Sequence, residues 1–130
     1  MADKQINLTQ AEWNVMECLW EAGPLTGREV TQRMERSCGW SRSTTLTLLS
    51  RLEHKGMLES IPGGKGPKVF SPLLGREDAA LQETKDFLDR VYQGSLSLMV
   101  STLTQKQTLS QEELDELYEL LKGLEAERHD

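Results

Sequence analysis

One stretch, residues 41–52, limits what this chain can fold into more than any other. Read at 3.6 residues per turn, it is a helix with two unlike faces. One side has the i, i+3, i+4, i+7 spacing of a face buried against other helices: Thr45, Leu48, Leu49 and Leu52. The other side is mostly short and hydroxyl-bearing: Arg42, Ser43, Leu46, Thr47 and Ser50. The stretch therefore predicts a helix that is packed on one face and open on the other.

A β-hairpin is predicted directly after this helix. Gly56 is placed to end the helix in the left-handed conformation that suits glycine. Two short runs with alternating apolar residues, 57–61 and 68–73, then flank a loop rich in glycine and proline. The loop contains Lys65 and the second run begins with Lys68, so the hairpin would place two cations beside the helix. This order is the helix-plus-wing arrangement.

Two more helices are predicted before residue 41, and each begins with a capping box. Thr9 with Glu12, and Thr26 with Glu29, have the spacing in which the cap and the third helical residue exchange hydrogen bonds. The first helix would end at Gly23, and a short turn at 38–40 follows the second. Apolar side chains share one face of each: Trp13, Met16, Leu19 and Trp20, then Val30 and Met34. Three consecutive helices separated by short turns follow the helix-turn-helix order.

The remainder of the chain is predicted to be helical. A long helix would begin near Arg76, and Gly94, which costs about 1 kcal/mol relative to alanine inside a helix, would mark a kink or a close helix crossing. Residues 104–108 form a linker, and Ser110–Glu113 is a third capping box. The last helix carries leucines at 3-4-3 spacing: Leu114, Leu117, Leu121 and Leu124.

These leucines need a partner surface, which is either the preceding helix of the same chain or a second copy. We favour a second copy, because a domain this small gains much of its stability by oligomerising. The predicted dimerisation residues are Leu88, Val91, Leu98, Leu114, Leu117, Leu121 and Leu124. The expected fold is mainly α with a small β-hairpin wing: an N-terminal winged helix-turn-helix, residues 1–73, then a C-terminal helical dimerisation domain, residues 74–130.

The charge of −6 is unevenly distributed. Residues 1–72 carry nine Lys/Arg against eight Asp/Glu, whereas residues 73–130 carry six against thirteen. A slightly basic part beside an acidic part suits a protein that touches DNA with one part only. No apolar run approaches the roughly 18 residues of a membrane span and no signal peptide is visible, so we expect a cytoplasmic protein without membrane insertion. Cys18 and Cys38 are expected to be small, at least half-buried fillers, and no metal or cofactor is expected.

The outer face of the central helix suggests a reader of the DNA major groove. Hydroxyls, an arginine and a methyl-bearing side chain can contact base edges and thymine methyl groups there. Arg42 would contact a guanine or a phosphate, and Leu46 a thymine methyl. The predicted hydroxyl contacts are Ser43, Thr44 and Thr47, and the predicted phosphate contacts are Arg51, Lys65 and Lys68.

The residues also resemble one bacterial family, the penicillinase and methicillin-resistance repressors. The matching pieces are Ala11–Met16 with Leu19-Trp20, Trp40-Ser41 with Thr44 and Thr47, Arg51-Leu52, Lys55-Gly56, Val91-Tyr92 with Gly94, and Leu109–Leu114. The resemblance covers residues 8–124 in one register. It implies a homodimeric transcriptional repressor that binds palindromic operator DNA and is released when a sensor of β-lactams triggers its cleavage by a protease. By position, the cleaved bond would lie between Thr102 and Leu103.

This chain departs from the family in several places. The resistance repressors have proline, lysine and arginine where Arg42, Ser43 and Leu46 stand, which predicts a different operator. They carry asparagine at the position of Thr102. A copper-sensing branch uses a C-terminal cysteine cluster, and this chain has no cysteine after Cys38.

Two other classes of function compete with the repressor. One is a winged-helix protein-interaction module without sequence-specific DNA binding. The other is an enzyme, which the sequence does not favour, since it offers no nucleophile–base pair, its two histidines are His54 and His129, and the loop around Lys65 does not precede a helix as a phosphate loop would.

Overall fold

The computed structural model describes residues 7–128. The lead-in predicted before Leu8 lies outside the described residues except for Asn7, and so does His129. The elements in order are α1 (Gln10–Ala22), β1 (Leu25–Thr26), α2 (Gly27–Cys38), α3 (Arg42–His54), β2 (Leu58–Gly63), β3 (Gly66–Pro72), α4 (Arg76–Tyr92), α5 (Leu96–Gln105) and α6 (Gln111–Arg128). The predicted class, mainly α with a small hairpin wing, is confirmed.

The helix starts follow their capping signals. Thr9 Oγ1 accepts the Glu12 N–H at 3.1 Å, and Glu12 Oε1 accepts the Thr9 N–H at 2.8 Å. The same exchange joins Thr26 and Glu29 at 3.2 and 2.9 Å. These two of the three predicted capping boxes are therefore present. At the start of α6, Ser110 Oγ accepts the N–H of Glu113 at 3.1 Å.

The wing is part of a three-stranded antiparallel sheet with the order β1-β3-β2. Ser60 pairs with Phe70 across the predicted hairpin, and Leu25 pairs with Phe70 from the other side. The two-residue strand β1 is not predicted from the sequence. It ties the segment just before α2 to the wing.

The core lies where the first three helices meet the sheet. Its largest fully buried apolar side chains are Met16, Leu19, Met34, Leu49, Leu52 and Leu58. Trp13 and Trp20 pack on this cluster edge to face, with ring centroids 5.1 Å apart. The Trp20 Nε1–H donates to Leu74 O at 2.8 Å, and Trp40 also packs against the core. Core packing is thus the role of these tryptophans.

Two predictions about single residues are wrong. Gly94 does not kink one long helix: Gln93 and Gly94 have φ of +53° and +80°, α4 ends at Tyr92, and Ser95 caps the new helix α5 by accepting the Leu98 N–H at 3.0 Å. Two successive left-handed residues cannot continue a right-handed helix. Cys38 is exposed rather than buried because it ends α2 on the solvent side.

The chain divides into two compact units, the first ending at Asp86 and the second beginning at Phe87. The first unit contains the sheet and the core. The domain boundary predicted after Leu73 stays a prediction. The connection between α5 and α6 begins after Gln105, so the predicted linker at 104–108 is partly helical.

Candidate nucleic-acid interface

The predicted reading helix, α3, is fixed to the core along one side. Its four predicted inner residues are buried, and its five predicted outer residues are exposed, with Leu46 at 38%. The helix begins at Ser41, whose Oγ accepts the Thr44 N–H at 3.3 Å. This cap satisfies one of the amide groups that a helix start leaves without a partner.

Hydroxyl groups at the start of α3 form a local hydrogen-bonded group. Ser41 Oγ lies 3.2 Å from Ser43 Oγ and 3.0 Å from Thr44 Oγ1. Thr47 Oγ1 donates to Ser43 O at 2.8 Å. Because a hydroxyl has one donor and two acceptor positions, those of Ser43, Thr44 and Thr47 retain capacity toward solvent, whereas Ser41 Oγ uses all three. Hydrogen bonds within the chain therefore orient the group, and its remaining positions can bond to a ligand.

A groove of about 510 Å³ runs along one flank of α3, bordered by the start of α2 and by the wing; we call it the α3–wing groove. Arg28, Arg42 and Lys68 line it, together with the apolar side chains of Leu46 and Phe70. Lys68 Nζ lies 5.3 Å from the centroid of the Phe70 ring, within the range of a cation–π interaction. The structure thus brings the predicted residues Arg42, Leu46 and Lys68 together.

A second, shallower depression of about 240 Å³ lies beside the helix and is lined by Ser43, Thr44, Thr47, Leu48 and Arg51. It gathers the three predicted hydroxyl contacts and one predicted phosphate contact. Lys65 lines neither depression and is exposed in the turn between β2 and β3. The predicted DNA-binding residues therefore fall into three neighbouring groups.

The cations of this surface are not neutralised by carboxylates. Within residues 7–128, none of them takes part in an ion pair: Arg28, Arg42, Arg51, Lys65 and Lys68. Glu53 also lines the α3–wing groove, but its Oε2 accepts a hydrogen bond of 2.6 Å from Ser60 Oγ. The surface can therefore attract a polyanion.

The end of α3 is anchored by an ion pair with α1. Lys55 Nζ donates to Glu12 Oε1 at 2.7 Å and to Asn7 O at 2.6 Å. Burial raises the pKa of the Glu12 carboxyl, but the hydrogen bonds from Lys55 and Thr9 outweigh it and hold the pKa below its usual value. The carboxylate therefore stays ionised beside Lys55. The sequence predicts Glu12 only as a helix cap.

Arg28 is a residue of the groove for which the sequence analysis predicts no role. It lies in the first turn of α2 and is separated from Arg42 by the rest of that helix and a turn. The signal that could have found it is the helix-turn-helix order itself, since the first helix of that motif crosses the DNA backbone.

In the second unit, the predicted dimerisation residues are not buried. Leu88, Leu114 and Leu117 are half-buried, and the rest are exposed: Val91, Leu98, Leu121 and Leu124. The predicted cleavage residues Thr102 and Leu103 are half-buried in α5, where Thr102 Oγ1 donates to Leu98 O at 2.9 Å. The described residues contain no helix that is long and apolar enough to cross a membrane. Across residues 7–128, no cluster of three or more His, Cys, Asp and Glu side chains could hold a metal ion.

Comparison with known proteins decides the family. The family model described as penicillinase repressor matches residues 8–123. The chain belongs to the penicillinase repressor family. The predicted resemblance is confirmed, and this family consists of transcriptional repressors rather than enzymes. The chain is accordingly a transcriptional repressor.

Members of the family match along nearly their whole length. MecI, the methicillin resistance regulatory protein of Staphylococcus aureus (strain N315), is 29% identical over 121 residues, which are 93% of this chain and 98% of MecI. The penicillinase repressor of Bacillus licheniformis is 32% identical over 115 residues, 88% of this chain and 89% of the relative.

Two solved structures of BlaI repressors resemble the chain. One is Bacillus licheniformis BlaI in its monomeric form in complex with the blaP half-operator: TM-score 0.52, 29% identity, 58% of this chain and 90% of that chain. The other is the DNA-binding domain of BlaI: TM-score 0.52, 28% identity, 59% of this chain and 93% of that chain.

Proposed function

We propose that this repressor binds palindromic operator DNA as a homodimer, with α3 of each copy in the major groove. The observation that carries the proposal is the surface of α3 and the wing, where exposed hydroxyls stand among five cations without carboxylate partners. The similar BlaI structure is a complex with a half-operator. We therefore expect the hydroxyls and cations of this surface to face DNA.

Different residues of this surface would contact the bases and the phosphates. Ser43, Thr44 and Thr47 would form hydrogen bonds at base edges, and Leu46 is exposed enough to touch a thymine methyl. Arg51, Lys65 and Lys68 would hold phosphates, which fix position along the duplex without reading sequence.

The second copy would be held by the apolar stripe of α6. Leu121 and Leu124 are exposed on this helix, as are Tyr118 and Leu120 next to them. Exposed leucines in such a row favour association with another helix. Once one copy of the dimer is bound to its half-site, the linked copy is held at a high effective concentration beside the other half-site. The dimer therefore binds far more tightly than one copy.

Release would follow cleavage between Thr102 and Leu103 by a protease within a β-lactam-type sensor pathway, and repression would take place in the cytoplasm. The named relatives are a methicillin resistance regulator and a penicillinase repressor. The helix α5 is ten residues long and has no fully buried residue. Such a helix opens at low cost, which a protease requires.

The test is operator binding by a variant that cannot dimerise. Leu117→Asp with Leu121→Asp should sediment as a monomer and lose the full operator at physiological salt while keeping weak half-site binding. The matched control is Lys122→Asp with Ala126→Asp, which adds at least as much negative charge to the polar side of α6. A Leu117/Leu121 variant that binds the full operator as tightly as the parent would refute the coupling. A parent chain indifferent to DNA at every salt concentration would favour a protein-interaction module instead.

A further inference from the structure

Resting on this proposed function, we propose that Arg28, Arg42 and Lys68 form one phosphate clamp in the α3–wing groove. Arg42 then holds the DNA backbone rather than a guanine. Sequence reading falls to the neighbouring hydroxyl face of α3, centred on Ser43 and Thr47.

The three cations come from three elements that converge at one point. A Cβ placed on Gly27, the first residue of α2, would lie 3.5 Å from Phe70 Cε2 in β3 and 3.6 Å from Leu46 Cδ2 in α3. These are ordinary van der Waals distances, so the start of α2 approaches β3 and α3 to within about the space of one methyl group. Arg28 follows Gly27 directly, and Arg42 begins α3. The groove is therefore a fixed feature of the packed unit.

The charge of the groove indicates its ligand. Three cations outnumber the one carboxylate among the lining residues, Glu53, which accepts a hydrogen bond from Ser60, so the groove has a net positive charge. One arginine is enough to bond the two acceptors of a guanine edge. Three cations around an apolar floor instead match the concentrated negative charge of the phosphate backbone.

The position of Arg28 decides between the two contacts considered for Arg42, a guanine and a phosphate. It belongs to α2, which is not the helix in the major groove, and in this motif the first helix crosses the backbone. A ligand shared by Arg28 and Arg42 is thus a backbone group. The polar side chains at Ser43, Thr47 and Ser50, spaced i, i+4 and i+7, occupy the part of α3 farthest from the core and remain exposed.

The experiment compares three Ala variants, at Arg28, Arg42 and Lys68, on the operator and on its single-base variants over a range of salt. Each should weaken all sequences by one common factor, about 10- to 150-fold per half-site, and reduce the salt slope by up to about 1 on a half-site and about 2 on the full operator. The control is Arg33→Ala, an exposed arginine of α2 outside the groove, which should change neither. Ser43→Ala should instead change the sequence preference at constant salt slope.

A neutral methylphosphonate at each backbone position gives the second readout. One position should weaken the parent more than it weakens Arg28→Ala or Arg42→Ala, since each variant has already lost one of the cations that contact this position. The clamp is refuted if Arg42→Ala relaxes the sequence preference at a single operator position. It is also refuted if the parent binds and Arg28→Ala, like Arg33→Ala, changes neither the affinity nor the salt slope. In both cases the repressor mechanism stands. A parent that binds no duplex overturns both.

Discussion

The ion pair between Glu12 and Lys55 leads to a prediction in which two single substitutions have unequal effects. Lys55→Met leaves the Glu12 carboxylate, only 1% exposed, with the Thr9 N–H as its remaining donor. Glu12→Gln leaves Lys55 instead, whose side chain is 36% exposed and keeps its hydrogen bond to Asn7 O. Because the freed ammonium can turn to water and the freed carboxylate cannot, Lys55→Met should destabilise the first unit more.

Removing one partner of a buried ion pair costs about 3–5 kcal/mol when the other charge remains buried. Glu12 keeps one hydrogen bond to a backbone amide, so we expect Lys55→Met to lower the free energy of unfolding by about 2–4 kcal/mol. An exposed charge that loses its partner costs about 0–1 kcal/mol, and Glu12→Gln should fall near the upper end of that range.

Tryptophan fluorescence during urea unfolding measures both values. All three tryptophans, Trp13, Trp20 and Trp40, lie in the first unit, so the signal reports that unit. A change in midpoint at constant slope would be a change in stability. If Glu12→Gln costs as much as Lys55→Met, the carboxylate does not depend on Lys55 and the reasoning is refuted.

The dependence on pH gives an independent check. The lowered pKa of Glu12 adds stability that is present above its unfolded value of 4.5 and is lost as the pH falls through the folded pKa. Without the hydrogen bond from Lys55, the pKa of this carboxyl is lowered less, so ionisation of Glu12 stabilises the variant less than it stabilises the parent. The difference in stability between the parent and Lys55→Met should therefore shrink below pH 4.5. A constant difference would contradict this.

Three further substitutions and one control can be measured in the same unfolding assay. Thr45 is fully buried and its Oγ1 has no hydrogen-bond partner among the described residues, so Thr45→Val should stabilise by about 1 kcal/mol; a loss of that size would mean that the hydroxyl is satisfied. Gly56 has φ of +79° and open space around it, so Gly56→Ala should cost about 1–2 kcal/mol through the backbone alone. Ser41→Ala should cost about 1 kcal/mol by removing the cap of α3, whereas Ser43→Ala should leave stability nearly unchanged.

The helix starts and the buried face of α3 could be predicted because their signals are local. A capping box specifies hydrogen bonds between residues three apart, as at Thr9 and Glu12. The burial of Leu48 and Leu52 follows from helical periodicity alone. Gly94 shows the limit of such signals. A single glycine predicts a weak point, but the end of α4 also depends on Gln93, which gives no sign in the sequence of its left-handed conformation.

The α3–wing groove could not be predicted because it exists only after packing. The strand β1 brings the start of α2, with Arg28, to the wing, with Lys68, and its two residues, Leu25 and Thr26, are too few to show a strand pattern. Packing of α3 against α2 adds Arg42. The sequence does indicate that each side chain is exposed. It does not indicate that they share one space.

The charges of the chain limit how this repressor can achieve affinity. The first 72 residues carry nine Lys/Arg against eight Asp/Glu, so their overall attraction for DNA is weak and local contacts must supply the binding. Each phosphate neutralised contributes about −0.9 to the slope of log affinity against log salt. The five cations Arg28, Arg42, Arg51, Lys65 and Lys68 would then give at most about −4.5 on a half-site and about −9 on a palindrome held by two copies, and less where the clamp residues share a phosphate. Salt titrations on both duplexes measure the two slopes. Equal slopes would mean that only one copy touches DNA at a time, and the dimeric mechanism would be wrong even if the operator were correct.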